Sequence, residues 1–306
     1  MRIIVVGQGA MGLLWYHHLA ISNASTNLSM LASNQNGLLN AGYHFIDNQN
    51  ASFKGIVNYA YHEQIKVADV VLLCVKSFQI KSVLKEISKY LQKNTNIILG
   101  HNGMGTVAEL PKEFIKQHNI YALLTTHGSL RSAPLSITHT GIGVTDIGLI
   151  SGSAKIEEQK ALVNLLNTAL PKVTLHEHII VKQWLKLAVN CVINPMTAMH
   201  DIDNGEINNK AFTKQISNVL TELVAVAQHE DIELNIDSLT KTVQEVASAT
   251  AKNCSSMRCD ILANRKTEIN YINGYIHKLG LKHAIATPEN TKLWLEILKK
   301  EKTTLR

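Results

Sequence analysis

Four cysteines in 306 residues are too few to staple a chain of this length. Cys74, Cys191, Cys254 and Cys259 each fall in an apolar or helical stretch, and no two of them make a C-x-x-C metal pair. They read as reduced thiols of a cytoplasmic protein. His176 and His178 flank Glu177, but no third ligand follows at zinc-site spacing, so they read as a surface pair and no metal is expected. Long apolar runs are also missing: none approaches the roughly 20 residues of a membrane span. Residues 3–6 imitate the start of a signal peptide, yet glycines at 7, 9 and 12 interrupt the run and no clean small-residue cleavage site follows. Aromatics make up 5% of the chain, and no basic cluster is interleaved with them. With a modest net charge of +6, that argues against nucleic acid and leaves small anionic ligands as partners. There is no internal repeat and no low-complexity tract.

What is present is a chain 45% apolar and 18% charged, able to bury a sizeable core and long enough for about two domains. Residues 2–6 form a short apolar strand, followed at once by Gly7-Gln8-Gly9-Ala10-Met11-Gly12 and a helical pattern through Leu13, Leu14 and Leu19. This is G-x-G-x-x-G between a strand and a helix. Gly7 permits the tight turn, Gly9 lets backbone approach a pyrophosphate, and Gly12 lets helix and strand pack closely. The helix start offers free N–H groups to the anion. A second strand is expected at 28–31. An NAD-binding unit would carry an acid about 20 residues past the glycines, but residues 32–36 read Ala-Ser-Asn-Gln-Asn and the first acid is Asp47. The absence leans toward NADP; Ser33 and Asn34 either donate hydrogen bonds there or are plain loop residues.

Residues 70–75 are a continuous apolar run, the pattern of a strand covered on both faces. Lys76 stands at its carboxyl end, where open α/β sheets bind ligands, and is either a ligand contact or a solvated lysine. A helix over 78–91 and a strand over 96–99 lead to His101-Asn102-Gly103-Met104-Gly105, a second glycine-flanked loop in which Asn102 is a turn residue or a cofactor contact. A strand over 120–126 runs to His127. Residues 138–148, with Gly141 and Gly143, suggest a hairpin closing the sheet. An amphipathic helix over 155–170 and a strand over 173–175 end the first half. The pattern is helical after about residue 177, so the expected fold is α/β: a Rossmann-type, mostly parallel sheet over 1–177 and an all-helical domain over 178–306.

The second half turns on residues 184–195, Trp-Leu-Lys-Leu-Ala-Val-Asn-Cys-Val-Ile-Asn-Pro, where eight of the eleven residues before the proline are apolar. Such a helix is buried on nearly every side. Lys186, Asn190 and Asn194 are spaced i, i+4, i+8, one polar stripe on one face. Burying an unpaired ammonium or amide is costly, so the stripe faces water, polar neighbours or a ligand. Pro195 should end or kink the helix. Residues 238–263 read as one long helix placing Asn253, Ser256 and Asp260 on one face, either solvated or lining a site. Glu268 opens a further helical run after a break at 264–266. The terminal Lys299-Lys300-Glu301-Lys302 reads as a solvated end.

Taken together, the glycine fingerprint, the 101–105 loop, the 184–195 helix, Asn253-Cys254-Ser255-Ser256-Met257 and Thr267-Glu268-Ile269-Asn270-Tyr271-Ile272-Asn273-Gly274 resemble the ketopantoate reductase family across almost the whole chain. The fingerprint is generic, whereas the Lys-x-x-x-Asn-x-x-x-Asn-Pro helix with Ser-Met and Thr-Glu-Ile downstream is much more specific. The resemblance implies NADPH-dependent reduction of ketopantoate, with Lys186 as catalytic acid and Glu268 as its functional partner. It implies that Asn190, Asn194, Asn253 and Ser256 line the substrate pocket and that Lys76 and Asn102 lie nearer the cofactor. The family's basic residue after the second strand stands here as Ala32. The chemistry agrees: hydride delivered to C2 of a 2-oxo acid leaves negative charge on oxygen, which an ammonium stabilises and protonates. The alternatives are a reductase of another branched 2-oxo acid and a nucleotide-sensing protein that has lost turnover. Without an acid at 32–36, NADPH should bind more tightly than NADH. Without a basic residue there, the margin should fall short of the about 1.5–3 kcal/mol of a charged hydrogen bond. Fluorescence titration of both cofactors decides this; equal or tighter NADH binding contradicts it.

Overall fold

The structure, a computed structural model, describes residues 1–22, 27–33 and 37–304, so Asn34, Gln35 and Asn36 of the expected cofactor-selecting segment lie outside the described residues. The chain divides into two compact units. The first comprises residues 1–101 and 107–180. In order it holds β1 (Arg2–Val6), α1 (Ala10–Ile21), β2 (Asn27–Leu31), β3 (Asn40–Ile46), β4 (Ser52–Asn58), α2 (His62–Lys66), β5 (Val70–Leu73), α3 (Ile80–Ile87), β6 (Asn96–Leu99), α4 (Lys112–Gln117), β7 (Asn119–Thr125), β8 (Gly128–Ala133), β9 (Ser136–Gly141), β10 (Thr145–Ser151), α5 (Ile156–Ala169) and β11 (Val173–Leu175).

Seven strands form one sheet in the order β11-β10-β7-β6-β5-β1-β2, parallel except for the β10–β7 pair. The central strands are apolar along Ile3–Val6, Val70–Leu73 and Ile97–Leu99 because both faces are covered there. Ile3 and Val5 of β1 join Val70, Leu72 and Ile98 in a core with α1 and α5. Ile4 and Val6 join Val71, Leu73, Ile97 and Leu99 in a second core with Ile65, Leu84 and Phe114. Adjacent residues alternate faces with the strand period of two.

A second sheet, β4-β3-β9-β8, had no counterpart in the sequence reading. It also corrects the expected hairpin over 138–148. The strand at 136–141 turns back on β8 through Leu135 at φ 53° and pairs in parallel with β3, whereas β10 belongs to the main sheet. Between them Gly143 passes so close to Thr126 and His127 that a Cβ would lie 2.4 Å from the His127 nitrogen. The two glycines therefore mark a change of sheet. The helix expected over 78–91 is shorter: a 3₁₀ turn at Ser77–Gln79 precedes α3.

The second unit comprises residues 102–106 and 181–306. It is built from α6 (Ile179–His200), α7 (Thr213–Gln228), α8 (Ile236–Ala249), α9 (Ser256–Leu262), α10 (Asn273–His283) and α11 (Pro288–Thr304), with short 3₁₀ turns between. Trp184, Leu187, Ala188, Cys191, Val192, Ile193 and Met196 of α6 enter its core.

Two helix expectations need correction. Of the two outcomes expected at Pro195, an end or a kink, the end does not occur: α6 continues to His200. Proline has no N–H, so the carbonyl four residues back loses its helical donor, and here the Asn273 side chain donates to the Cys191 carbonyl instead, at 2.9 Å. The predicted helix over 238–263 is two helices. The carbonyls of Ala251 and Asn253 accept from the backbone of Gly205 and Asn204, at 3.1 Å each, which diverts them from a continuous helix. Ser255 then restarts the chain as an N-cap, its Oγ accepting from the Arg258 N–H at 3.1 Å. Asn253 and Cys254 consequently sit in the connecting loop, not on a helix face. Asp260 is buried and pairs with Arg265 at 3.1 Å.

The meeting of Pro195 and Asn273 is testable by a double-mutant cycle. Asn273→Ala should cost about 1–3 kcal/mol by leaving buried acceptors unpaired. Pro195→Ala returns a helical donor to the Cys191 carbonyl, so the double variant should recover about 1 kcal/mol of that loss. Urea denaturation measures all three; strictly additive losses would show that the two residues do not act on one carbonyl.

Candidate functional site

In the first unit, β1, β5 and β6 end level with one another, Val6 opposite Leu73 and Leu73 opposite Leu99. The glycine turn after β1 packs on the exit of β5. Gly7 has φ 98°, and a Cβ there would lie 2.7 Å from Val75 Cγ1. Gly12 faces the turn itself, with its Cβ position 1.8 Å from the Gly7 carbonyl oxygen. These two glycines are demanded by the protein's own packing. Gly9 is different. Its φ is −77°, open to any residue, and a Cβ there would meet nothing within 4 Å. The missing side chain leaves open space at the start of α1, where no side chain caps the helix and no acid occupies the first turn. That is a cradle suited to a pyrophosphate, whose charge the helix dipole and unsatisfied N–H groups would meet.

Around this turn, Gln8 Oε1 accepts from the Tyr59 hydroxyl at 3.1 Å, and the Ala10 carbonyl accepts from Ser129 Oγ at 3.2 Å. Met11 packs at the edge of the adjacent core. Burial pushes the Cys74 thiol up to about 12, so it stays neutral beside the cradle. Lys76 is half-buried at the exit of β5 and begins the 3₁₀ turn, its N–H bonded to Gln79 Oε1 at 3.0 Å.

In the second unit, the single helix α6 carries Lys186, Asn190 and Asn194 on one face, as their spacing requires. Asn190 Nδ2 is buried and has no hydrogen-bond partner among the described residues. Asn194 is 7% exposed. Near the end of α6, the Thr197 and Ser255 hydroxyls are hydrogen-bonded at 2.7 Å. That bond ties the first turn of α9, and with it the exposed Ser256, to the helix bearing the stripe. Arg258 reinforces the attachment through Asp201 at 2.7 Å and Asp203 at 2.5 Å.

Glu268 is 5% exposed. The loop over 102–106 packs on its segment: Asn102 Nδ2 donates to Glu268 Oε2 at 3.4 Å, and the Met104 N–H to the Tyr271 carbonyl at 2.8 Å. Gly103 allows this approach at φ 84°, since a Cβ would lie 2.3 Å from the Tyr271 oxygen. The structure thus joins Asn102 to Glu268 and leaves Asn253 on a separate, exposed loop. Sequence reasoning missed Thr267, Asn273, Lys300 and Glu301, all of which hold these elements. Thr267 and Asn273 lay within a noted motif, while Lys300 and Glu301 had only the composition of a solvated tail.

Residues 3–152 match the family profile described as ketopantoate reductase PanE/ApbA, and residues 178–301 match its C-terminal counterpart. The 2-dehydropantoate 2-reductase of Vibrio cholerae serotype O1 is 34% identical over 299 residues, covering 97% of each chain. That of Shigella flexneri is 33% identical, covering 98% of this chain and 95% of the relative. Among solved structures, a D-mandelate dehydrogenase in ternary complex with NADH and anilino(oxo)acetate superposes with a TM-score of 0.87 at 21% identity over 99% of both chains. A PanE/ApbA family ketopantoate reductase from Ralstonia eutropha JMP134 gives 0.84 at 21% identity over 100% of both. At these identities the structures establish the fold.

The contrast between glycines yields a prediction. Gly9→Ala should leave the melting temperature unchanged and weaken NADPH binding by about tenfold or more, the equivalent of about 1.4 kcal/mol. Gly12→Ala should instead destabilise the whole unit. Thermal melts with fluorescence titration check both; unchanged NADPH affinity in Gly9→Ala would contradict the cradle.

Proposed function

The chain belongs to the ketopantoate reductase family, and we propose that it reduces 2-dehydropantoate to pantoate with NADPH, in the cytoplasm, as a step of pantothenate synthesis. The observation that carries the site reading is Asn190 Nδ2, a buried donor without a partner among the described residues, one helical turn from Lys186. Such a donor costs about 1–3 kcal/mol unless an acceptor meets it. A 2-oxo acid supplies acceptors in its carboxylate and its oxo group.

NADPH, when bound, supplies the hydride; the open space at Gly9 and the uncapped start of α1 fit its pyrophosphate. The remaining chemistry falls to the chain's own residues. Lys186 holds its ammonium at the C2 oxygen, stabilises the charge that develops there and donates the proton. Asn190 and Asn194 orient the acid with neutral amides, which add no charge of their own beside Lys186. Ser256 and Asn253, exposed near the end of α6, bond the polar groups at the far end of the substrate. Glu268, held by Asn102, fixes the ammonium and accepts from substrate hydroxyls. Gly7, Gln8, Gly9, Ala10, Met11 and Gly12 line the cofactor's side, with Lys76 beside them.

Lys186→Ala should lower kcat by about 10²–10⁴-fold, the usual contribution of a general acid, with NADPH affinity unchanged. Steady-state assays with 2-dehydropantoate and a panel of 2-oxo acids measure it. Survival of kcat within a few-fold would move the acid elsewhere. Tight NADPH binding by the wild type with no turnover of any 2-oxo acid would overturn the enzymatic reading.

A further inference from the structure

The last turn of α11 was expected in water, yet Glu301 is 6% exposed and Lys300 is half-buried. A carboxylate at that depth persists only where donors meet it. Glu301 Oε1 accepts from the backbone N–H of Thr267 at 2.7 Å and from its hydroxyl at 2.6 Å. The same hydroxyl accepts from the Ile269 N–H at 3.2 Å. Thr267 is 1% exposed. The two backbone N–H groups that flank Glu268 are therefore both committed, one to Glu301 directly and one through Thr267. Glu268's own carbonyl accepts from the Tyr271 N–H at 2.9 Å. The backbone that carries the Glu268 carboxylate is thus restrained on both sides by hydrogen bonds.

Lys300 reaches another element. Its Nζ donates to the carbonyls of Ala198 and Met199, at 3.1 and 2.7 Å, in the last turn of α6. Those carbonyls have no intrahelical donor, and the negative end of the helix dipole favours a cation there. Neighbouring residues of a helix diverge by about 100°, so one backbone step aims an ammonium at the stripe-bearing helix and a carboxylate at the Glu268 turn.

We infer that Lys300 and Glu301 are positioning residues of the reaction, a clamp that sets the Glu268 turn against the end of α6. The inference rests on the roles proposed above for α6 and Glu268. Neither residue touches substrate in this assignment; Glu301 acts through Thr267 and Glu268, and Lys300 through α6. A misplacement of about 1 Å at a reacting centre costs about 10²-fold in rate, so the clamp bears on turnover as well as on stability.

The test uses the full chain, assayed well below the melting temperature of each variant. Glu301→Ala should lower kcat for 2-dehydropantoate by about ten- to hundredfold, with the Kd for NADPH near wild type. Glu301→Gln, whose amide oxygen still accepts from Thr267, should restore most of that loss. Lys300→Met should lower kcat in the same direction without touching the Glu268 turn. If Glu301→Ala lowers the melting temperature but keeps wild-type kcat and KM, Glu301 is a brace for the fold and the inference is wrong. Should Glu301→Ala fail to fold, Thr267→Val decides by the same kcat criterion. Glu268→Gln separates the two levels. Wild-type kcat in that variant would overturn the role of Glu268 and the clamp with it. A crippled Glu268→Gln beside a wild-type Glu301→Ala would overturn the clamp alone.

Discussion

The carbonyl of Cys191 is the constraint around which the helical unit is arranged. Pro195 removes its helical donor, and where the helix that carries the polar stripe continues past it, Asn273 supplies the replacement. Asn273 Nδ2 also donates to Asn290 Oδ1 at 3.0 Å. Asn290 in turn bonds the Val219 carbonyl at 3.1 Å and Glu222 Oε2 at 2.8 Å, while Glu222 accepts from the first N–H groups of α11. One missing proton in α6 is thus answered by a buried chain of amides joining α6, α10, α11 and α7. Such networks favour a single arrangement because each member left unpaired would be costly.

That rigidity matters to the chemistry. The stripe residues are useful only if their helix holds one orientation, and Glu268 only if its turn does. Among the attachments that act on these elements are Thr197 with Ser255 near the end of α6, Asn102 on the Glu268 carboxylate, and Asn273 beneath Pro195. Asn190 and Asn194 share the α6 face that carries Lys186, so the stripe pairs one cation with two neutral amides. In the sheet unit the division of labour lies among glycines. Gly7 and Gly12 satisfy backbone packing, while Gly9 is left without a neighbour that would need it.

Much of the fold was legible in the sequence because its signals are local. A strand covered on both faces carries a run of adjacent apolar residues, so β1, β5 and β6 stood out. The glycine spacing followed from the turn it must make, and the i, i+4, i+8 stripe from helix geometry alone. Candidate residues could be named because burying a lysine and two asparagines on an apolar helix demands a reason.

The tertiary structure decided wherever a residue's partner is remote in sequence. Pro195 read as an end or a kink because the donor that replaces its missing N–H, Asn273, is 82 residues from the Cys191 carbonyl it serves. Residues 238–263 read as one helix because the bonds that break it come from Asn204 and Gly205. Gly141 and Gly143 read as a hairpin because strand periodicity does not say which sheet a strand will join. Glu301 read as a solvated tail because charge alone reports exposure only when no partner is waiting, and Thr267 lies 34 residues before it. By itself the sequence determined the strands of the main sheet's centre, the glycine turn and the polar stripe, since backbone sterics and helix periodicity act between neighbours. Which carbonyl each donor finds, and so how Glu268 and α6 are held, was settled only on folding, because hydrogen bonds between distant segments leave no period in the chain.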